Sequence, residues 1–421
     1  MKAKIKYLLG ASMIFLLAGC GTNMEGGKPS NYEPYEAGSR GESSYGDYYE
    51  PKTDSPKNGD STSSSDTENK DNSQVNLPRA GQVTCSTYDD NSNFTYWQEL
   101  ISYQSRYHSG TFYDYYSKYA FRTENRLELN IINGNNVKVT LKNTQIQAYA
   151  DNFHKAYLFP KQKQNSYEVE ISYTDSNNQT QNIEKEVRDG DIIDLEQTFT
   201  TSSNLQLMFV VDATGSMGDE IKYLQAEIDD VITKVKDANQ SANIELSIMM
   251  YRDKNDDYLI RYSDFTSDIE SQKSFLANQE ARGGGDFEEA VEEALEAAMD
   301  KQWNPNATKL LFHVADAPAH DKDVPTWNDT VLNAAAKGIK IFSIASSGIN
   351  KKTEYFFRSQ SLITGGQYIF LTDDSRIGGS HEVAETEHPL TVEYLNSCLV
   401  RLINGYFKGV MTNPVPYYQD R

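Results

Sequence analysis

The sequence predicts an α/β fold class: a doubly wound, mostly parallel sheet of Rossmann-like alternation, preceded by an amino-terminal all-β sandwich and a disordered tether. Three observations predict it. After Ser203, the apolar runs "LQLMFVV", "KLLFHVA", "IKIFSIA" and "QYIFL" lack alternation and are separated by amphipathic helical stretches, the pattern of strands covered on both faces. From Arg126 the period is two instead, in "RLELNII", "NVKVTLK", "TQIQAYA", "KAYLFP", "YEVEISY" and "QNIEKEV", with Asn-, Asp- and Gly-rich turns between them. Before about residue 80 the chain is rich in Ser, Asp, Asn, Gly, Glu and Tyr and nearly lacks aliphatic residues, so burial cannot offset the entropy of ordering it.

Taken in order, residues 1–20, MKAKIKYLLGASMIFLLAGC, have a Lys-rich start, an apolar stretch short for a bilayer and small residues before Cys20. That is the pattern of an export signal. Residues 21–80 form the tether. In the next segment, residues 81–124, Phe94, Trp97, Leu100 and Ile101 stand at helical spacing, which predicts a short helix packed on a neighbouring domain. The sandwich occupies residues 125–200 and the α/β domain residues 201–410, with helices at about 218–237, 286–300, 327–337 and 390–407. "NIELSIMMYR" and "YLIRYSDF" lie too close for a helical crossover, so one of them is an antiparallel edge strand.

The formal net charge of -21 argues against nucleic acid as a partner and against electrostatic adsorption to anionic lipid, since both attract basic surfaces. Of the three cysteines, Cys85 and Cys398 remain after Cys20 as one candidate disulfide pair outside the cytoplasm. In the chain-entropy model such a bond would contribute on the order of 5 kcal/mol.

Ligands of a doubly wound sheet gather beyond the carboxyl ends of its strands. The first such end is "DATGS", where the oxygens of Asp212, Thr214 and Ser216 can point at one centre around the turn at Gly215. "RGGGDFEEAVEEAL" brings Asp286 to the start of a helix, and "LLFHVADAPAH" ends its strand on Asp316. Hard oxygens without imidazole or thiolate suit Mg²⁺, Mn²⁺ or Ca²⁺ rather than zinc. Arg252 and Asp253 of "YRD" and His320 of "DAPAH" are candidates for the rim, with a loop salt bridge as the plainer reading of the first two. His313, inside "LLFHVA", reads as a packed core histidine.

Two family resemblances build on these residues. "LAGC", Leu17 to Cys20, resembles the lipobox of bacterial lipoproteins, which implies a lipidated Cys20, a membrane partner through that lipid and a place on the extracytoplasmic face. From Ser203 onward the chain resembles a von Willebrand factor type A domain: Asp212, Thr214 and Ser216 match its DxSxS metal-ion-dependent adhesion motif, Asp286 stands where its third-loop threonine would be, and Asp316 where the aspartate of its fourth strand would be. "YRDKNDDY", "GGGDFEE" and "DAPAH" are similar to a hemicentin-like branch of that family, and the preceding sandwich to immunoglobulin-like or carboxypeptidase-regulatory-like modules. The resemblance implies a bound divalent cation and metal-dependent adhesion to a surface protein or glycan, without catalysis. Asp286 in place of a neutral threonine implies a more negative centre, which favours neutral partner oxygens over a carboxylate.

Two other readings compete. The cation or a water network would be purely structural in an envelope scaffold. Alternatively, Asp212 would be the nucleophile of a haloacid-dehalogenase-type phosphohydrolase with Asp373 and Asp374 holding Mg²⁺, although Ala213 and Thr214 do not supply the acid or lysine such a turn needs. An aspartic-protease reading of "ATGS" lacks a second copy of the motif, and "RGGGD" follows a helical stretch rather than the strand a phosphate loop requires.

Overall fold

The computed structural model describes residues 78–104, 112–119 and 121–419. The expected export signal, the lipidation site Cys20 and residues 21–77 of the expected tether lie outside the described residues. The first elements are β1 (Thr84–Tyr88), α1 (Phe94–Leu100) and α2 (Phe112–Tyr119). Next come β2 (Leu127–Ile132), β3 (Asn135–Leu141), β4 (Gln147–Tyr149), β5 (Lys155–Leu158), β6 (Tyr167–Thr174), β7 (Thr180–Val187) and β8 (Ile192–Asp194). The remainder is β9 (Asn204–Asp212), α3 (Ile221–Ala238), β10 (Asn243–Tyr251), β11 (Ile260–Thr266), α4 (Ile269–Ala277), α5 (Val291–Met299), β12 (Thr308–Ala315), α6 (Val324–Ala336), β13 (Ile339–Ala345), α7 (Lys351–Thr364), β14 (Tyr368–Leu371), β15 (Glu393–Tyr394) and α8 (Leu395–Lys408).

The main sheet runs β11-β10-β9-β12-β13-β14-β1-β15, with β10, β9, β12, β13 and β14 mutually parallel. Every residue of β9 after Asn204 is buried, which is why its sequence does not alternate. Successive side chains enter different cores. Met208 and Val210 pack with α5, α6 and α7, whereas Leu207, Phe209 and Val211 pack with α3, α4 and α8. The anticipated antiparallel edge is β11, joined to β10 by a connection too short for a helix.

The 81–124 segment contains its expected helix, in α1, and Trp97 stacks on Tyr355 of α7 with ring centroids 6.0 Å apart. It also contains a strand that the sequence reading lacked. β1 inserts antiparallel between β14 and β15, pairing Cys85 with Leu371 and with Glu393. The backbone N–H groups of Gly81, Gln82 and Val83 all donate to the buried Glu227 carboxylate of α3, at 2.9, 3.0 and 3.0 Å. The segment is thereby part of the sheet and not an appendage to it.

Cys85 and Cys398 are brought into hydrogen-bonding contact, yet both are free thiols. Burial pushes the Cys85 thiol well above its usual range, which suppresses the thiolate that disulfide exchange requires. The expected bond is not formed in this structure.

Residues 127–194 form two facing sheets, β5-β2-β8 and β4-β3-β6-β7. Leu127, Leu129 and Ile131 of one meet Val139, Val169 and Ile171 of the other, as the two-residue period requires. This unit rests on α8: Asn152 Nδ2 donates to the carbonyls of Tyr406 and Phe407 at 2.9 and 3.0 Å, and Phe153 meets Tyr406 edge-on at 5.2 Å. Among the described residues no helix is long and apolar enough to cross a membrane.

Candidate metal centre

Parallel strands align their carboxyl ends, and the register sets Asp212 of β9 beside Tyr251 of β10 and Val211 beside Val314 of β12. The residues just beyond those ends are therefore neighbours. Asp212 Oδ1 accepts from the backbone N–H and the hydroxyl of Thr214, at 2.8 and 2.7 Å. Its Oδ2 is buried without a hydrogen-bond partner. Thr214 Oγ1 and Ser216 Oγ lie 3.2 Å apart, and Asp316 is buried. The structure thus brings Asp212, Thr214, Ser216 and Asp316 to one strand-end crevice.

The expected helix at 286–300 starts later, at Val291, because the residues before it close the crevice. Their loop docks through the backbone: Arg282 N–H donates to Ala213 O at 2.9 Å, and Gly215 N–H to Gly283 O at 3.0 Å. Gly283 has φ +86°, and a Cβ there would stand 2.4 Å from the Asp256 carboxylate. Gly284, at φ +79°, donates its N–H to Asp256 Oδ2 at 2.9 Å. Any side chain on Gly284 would meet Glu289 Oε1 at 3.1 Å and Thr214 Cβ at 3.4 Å, so the glycine lets the Glu289 carboxylate approach Thr214.

Glu289 is the site residue that the sequence analysis did not single out. It is buried, its Oε2 has no hydrogen-bond partner, and its N–H donates to Pro318 O at 3.1 Å. In "DFEEAVEEAL" it looks like one of several solvated helix acids. The available signal was its place immediately before the helix cap Ala290, where a short buried helix turns its first side chains toward the strand ends.

Asp286 lies differently from the expectation: its side chain is 62 % exposed, and its Oδ1 faces His320 Nε2 at 3.6 Å. Asp253 Oδ1 stands 3.7 Å from the same nitrogen. Arg252 points into the protein, where its Nε and one terminal N–H group donate to the carbonyls of Ala213 and Glu280 at 3.1 and 2.9 Å, bracing the loop that follows Asp212. His313 is a core residue, bonded to Tyr251 Oη at 3.0 Å and to Gln360 at 2.9 Å, and burial pushes it down to about 3. Asp373 and Asp374 are engaged elsewhere, with His381 at 2.8 Å and Tyr417 Oη at 3.0 Å respectively.

Crowding controls the electrostatics. Burial, followed by the Asp316 charge, pushes Asp212 up to about 7. Burial, followed by the charges of Asp212, Asp253 and Asp316, pushes Glu289 up to about 9. These carboxyls resist ionising together unless positive charge joins them, and the oxygen-only donor set fits Mg²⁺, Mn²⁺ or Ca²⁺.

Residues 206–373, which carry all of these loops, match the family model of the von Willebrand factor A domain, and this part of the chain has that fold. Two curated relatives are similar to part of this chain. The alpha-protein kinase vwkA of Dictyostelium discoideum is 28 % identical over 176 residues, covering 41 % of this chain and 28 % of its own. The putative ariadne-like RING finger protein R811 of Acanthamoeba polyphaga mimivirus is 29 % identical over 188 residues, covering 40 % and 18 %. The chain thus spans less than a third of either relative. Among solved structures, the VWA domain of SpRpn10 is similar at 13 % identity and a TM-score of 0.29, over 37 % of this chain and 82 % of that one.

Proposed function

We propose that the protein is an envelope-anchored binding module in which Asp212, Thr214, Ser216, Glu289 and Asp316 hold one divalent cation, and a macromolecular partner completes its coordination. One observation carries this reading. Asp212 and Glu289 each keep a buried carboxylate oxygen without a hydrogen-bond partner, and neither joins an ion pair among the described residues. Such groups are costly unless a cation reaches them. Protein interaction is also the general role of von Willebrand factor A domains, which match this region.

Charge narrows the partner. Three carboxylates outnumber the charge of a divalent ion, and at an effective dielectric near 20 a unit charge at 4 Å is worth about 4 kcal/mol. The residual negative field disfavours an acidic ligand and favours neutral oxygens, such as protein carbonyls or sugar hydroxyls. The lipobox-like start with Cys20 would hold the module at the outer membrane face.

Titration calorimetry with Mg²⁺, Mn²⁺ and Ca²⁺, paired with capture from a cell-envelope extract with and without EDTA, tests the proposal. Wild type is expected to take up one ion at this centre and to capture its partner only in metal, and Asp212→Ala to do neither. Metal-dependent melting without metal-dependent capture would make the ion structural. A folded chain that takes up none of the three ions would end the reading. Detergent-phase partitioning that is unchanged in Cys20→Ser would remove the anchor.

A further inference from the structure

Beside that centre, on the solvent side, lies a second donor set of different chemistry. We infer that Asp253, Asp286 and His320 form a separate zinc-class site, in which one imidazole nitrogen and two carboxylate oxygens hold a divalent transition ion with an outward position left open. It does not depend on the oxygen-only centre being occupied.

The juxtaposition is built by the fold. Asp253 follows β10, Asp286 follows the glycine loop, and the backbone pairing of Glu289 with Ala319 lays that loop along residues 318–320. His320 Nε2 consequently sits 3.7 Å from Asp253 Oδ1 and 3.6 Å from Asp286 Oδ1, and all three donor atoms lie within 4.8 Å of one another. Those separations are too long for hydrogen bonds. They approach the edge of a tetrahedron around zinc, about 3.4 Å for bonds near 2.1 Å.

An independent observation points to a missing ligand. Asp253 is only 8 % exposed, and its Oδ1, the atom facing His320, has no hydrogen-bond partner. Another acidic group is neutralised by a cation of the chain itself: Glu292, Glu293 and Asp323 surround Lys254 Nζ at 2.8, 2.6 and 2.6 Å. Asp253 and Asp286 have no lysine or arginine ion pair among the described residues. Imidazole together with carboxylate selects zinc and its transition-metal neighbours over Mg²⁺ and Ca²⁺. The exposure of Asp286 leaves an outer face where water or a partner group could bind.

The test is Zn²⁺ uptake by the full chain under saturating Mg²⁺, read against a chromophoric chelator, with the visible spectrum of the Co²⁺ form as a second signal. Wild type is expected to bind one Zn²⁺ equivalent. His320→Gln and Asp286→Asn should each weaken that uptake at least tenfold and bleach the Co²⁺ band, while Asp212→Asn retains both. Asp286 is exposed, so its variant decides the matter even if His320→Gln fails to fold. No uptake by wild type, uptake unchanged in Asp286→Asn, or equal loss in Asp212→Asn would overturn the inference, the last by revealing one shared centre.

Discussion

Asp212 and Glu289 set the expected pH behaviour of the metal-free centre. In an unfolded chain they titrate near 3.9 and 4.3, whereas the fold raises them to about 7 and about 9. A raised carboxyl binds its proton more tightly in the folded state, so its contribution to stability is complete below about pH 4 and is lost as pH rises through the folded value. In EDTA, the melting temperature should therefore fall between pH 5 and pH 9, and saturating Mg²⁺ or Mn²⁺ should remove most of that fall. Glu289→Gln should flatten its upper part. Gly283 supplies a second prediction at this scale. With φ at +86° and a carboxylate where Cβ would be, Gly283→Ala should cost about 1–3 kcal/mol in urea unfolding and weaken metal uptake. Asp212, Thr214, Ser216 and Asp316 were legible because strand-end oxygens at alternate positions leave a pattern in the sequence. Glu289 was not, because its burial depends on the path of a loop that folds across "DATGS" from more than sixty residues away.

The elements show where local pattern loses its force. The helix α7 was not anticipated, since "KKTEYFFRSQSLIT" carries charges around its circumference, yet every residue from Lys352 to Thr364 is buried. Its Arg358 explains this. The fully buried guanidinium holds Asp90 with two bonds of 3.0 and 2.6 Å, Glu354 at 3.0 Å and the Glu385 carbonyl at 2.8 Å, closing the amino-terminal segment and the 382–387 loop over the helix. Arg358→Met should strand two buried carboxylates and cost about 3–5 kcal/mol in chemical denaturation. Glu227 is the corresponding clasp for β1. Glu227→Ala should cost about 3 kcal/mol, because three backbone donors lose their acceptor together. Hydrogen exchange should then open residues 81–88 before the rest of the sheet.

At the scale of the whole molecule, the sandwich, the amino-terminal segment and the von Willebrand factor A domain share surfaces. A chain beginning at residue 201 would lack β1, α1 and α2, bare the edge of β14 and remove Trp97, Phe112 and Phe121 from around Tyr355. It should melt well below the full chain and self-associate in light scattering, since an uncovered sheet edge and an aromatic patch are both sticky. By itself, the sequence determined the class of the two-sheet unit and of the α/β domain. Unalternating apolar runs specify doubly covered strands, a two-residue period specifies a sandwich, and oxygen-bearing side chains after the first strand specify a crevice lined by carboxylates and hydroxyls, because these depend on spacing along the chain. The tertiary structure alone decided the role of β1 as a sheet strand, the complete burial of α7, the turning of Glu289 inward and the turning of Asp286 toward His320. Each of those is a balance of burial and charge between segments tens to hundreds of residues apart, and no local period records it.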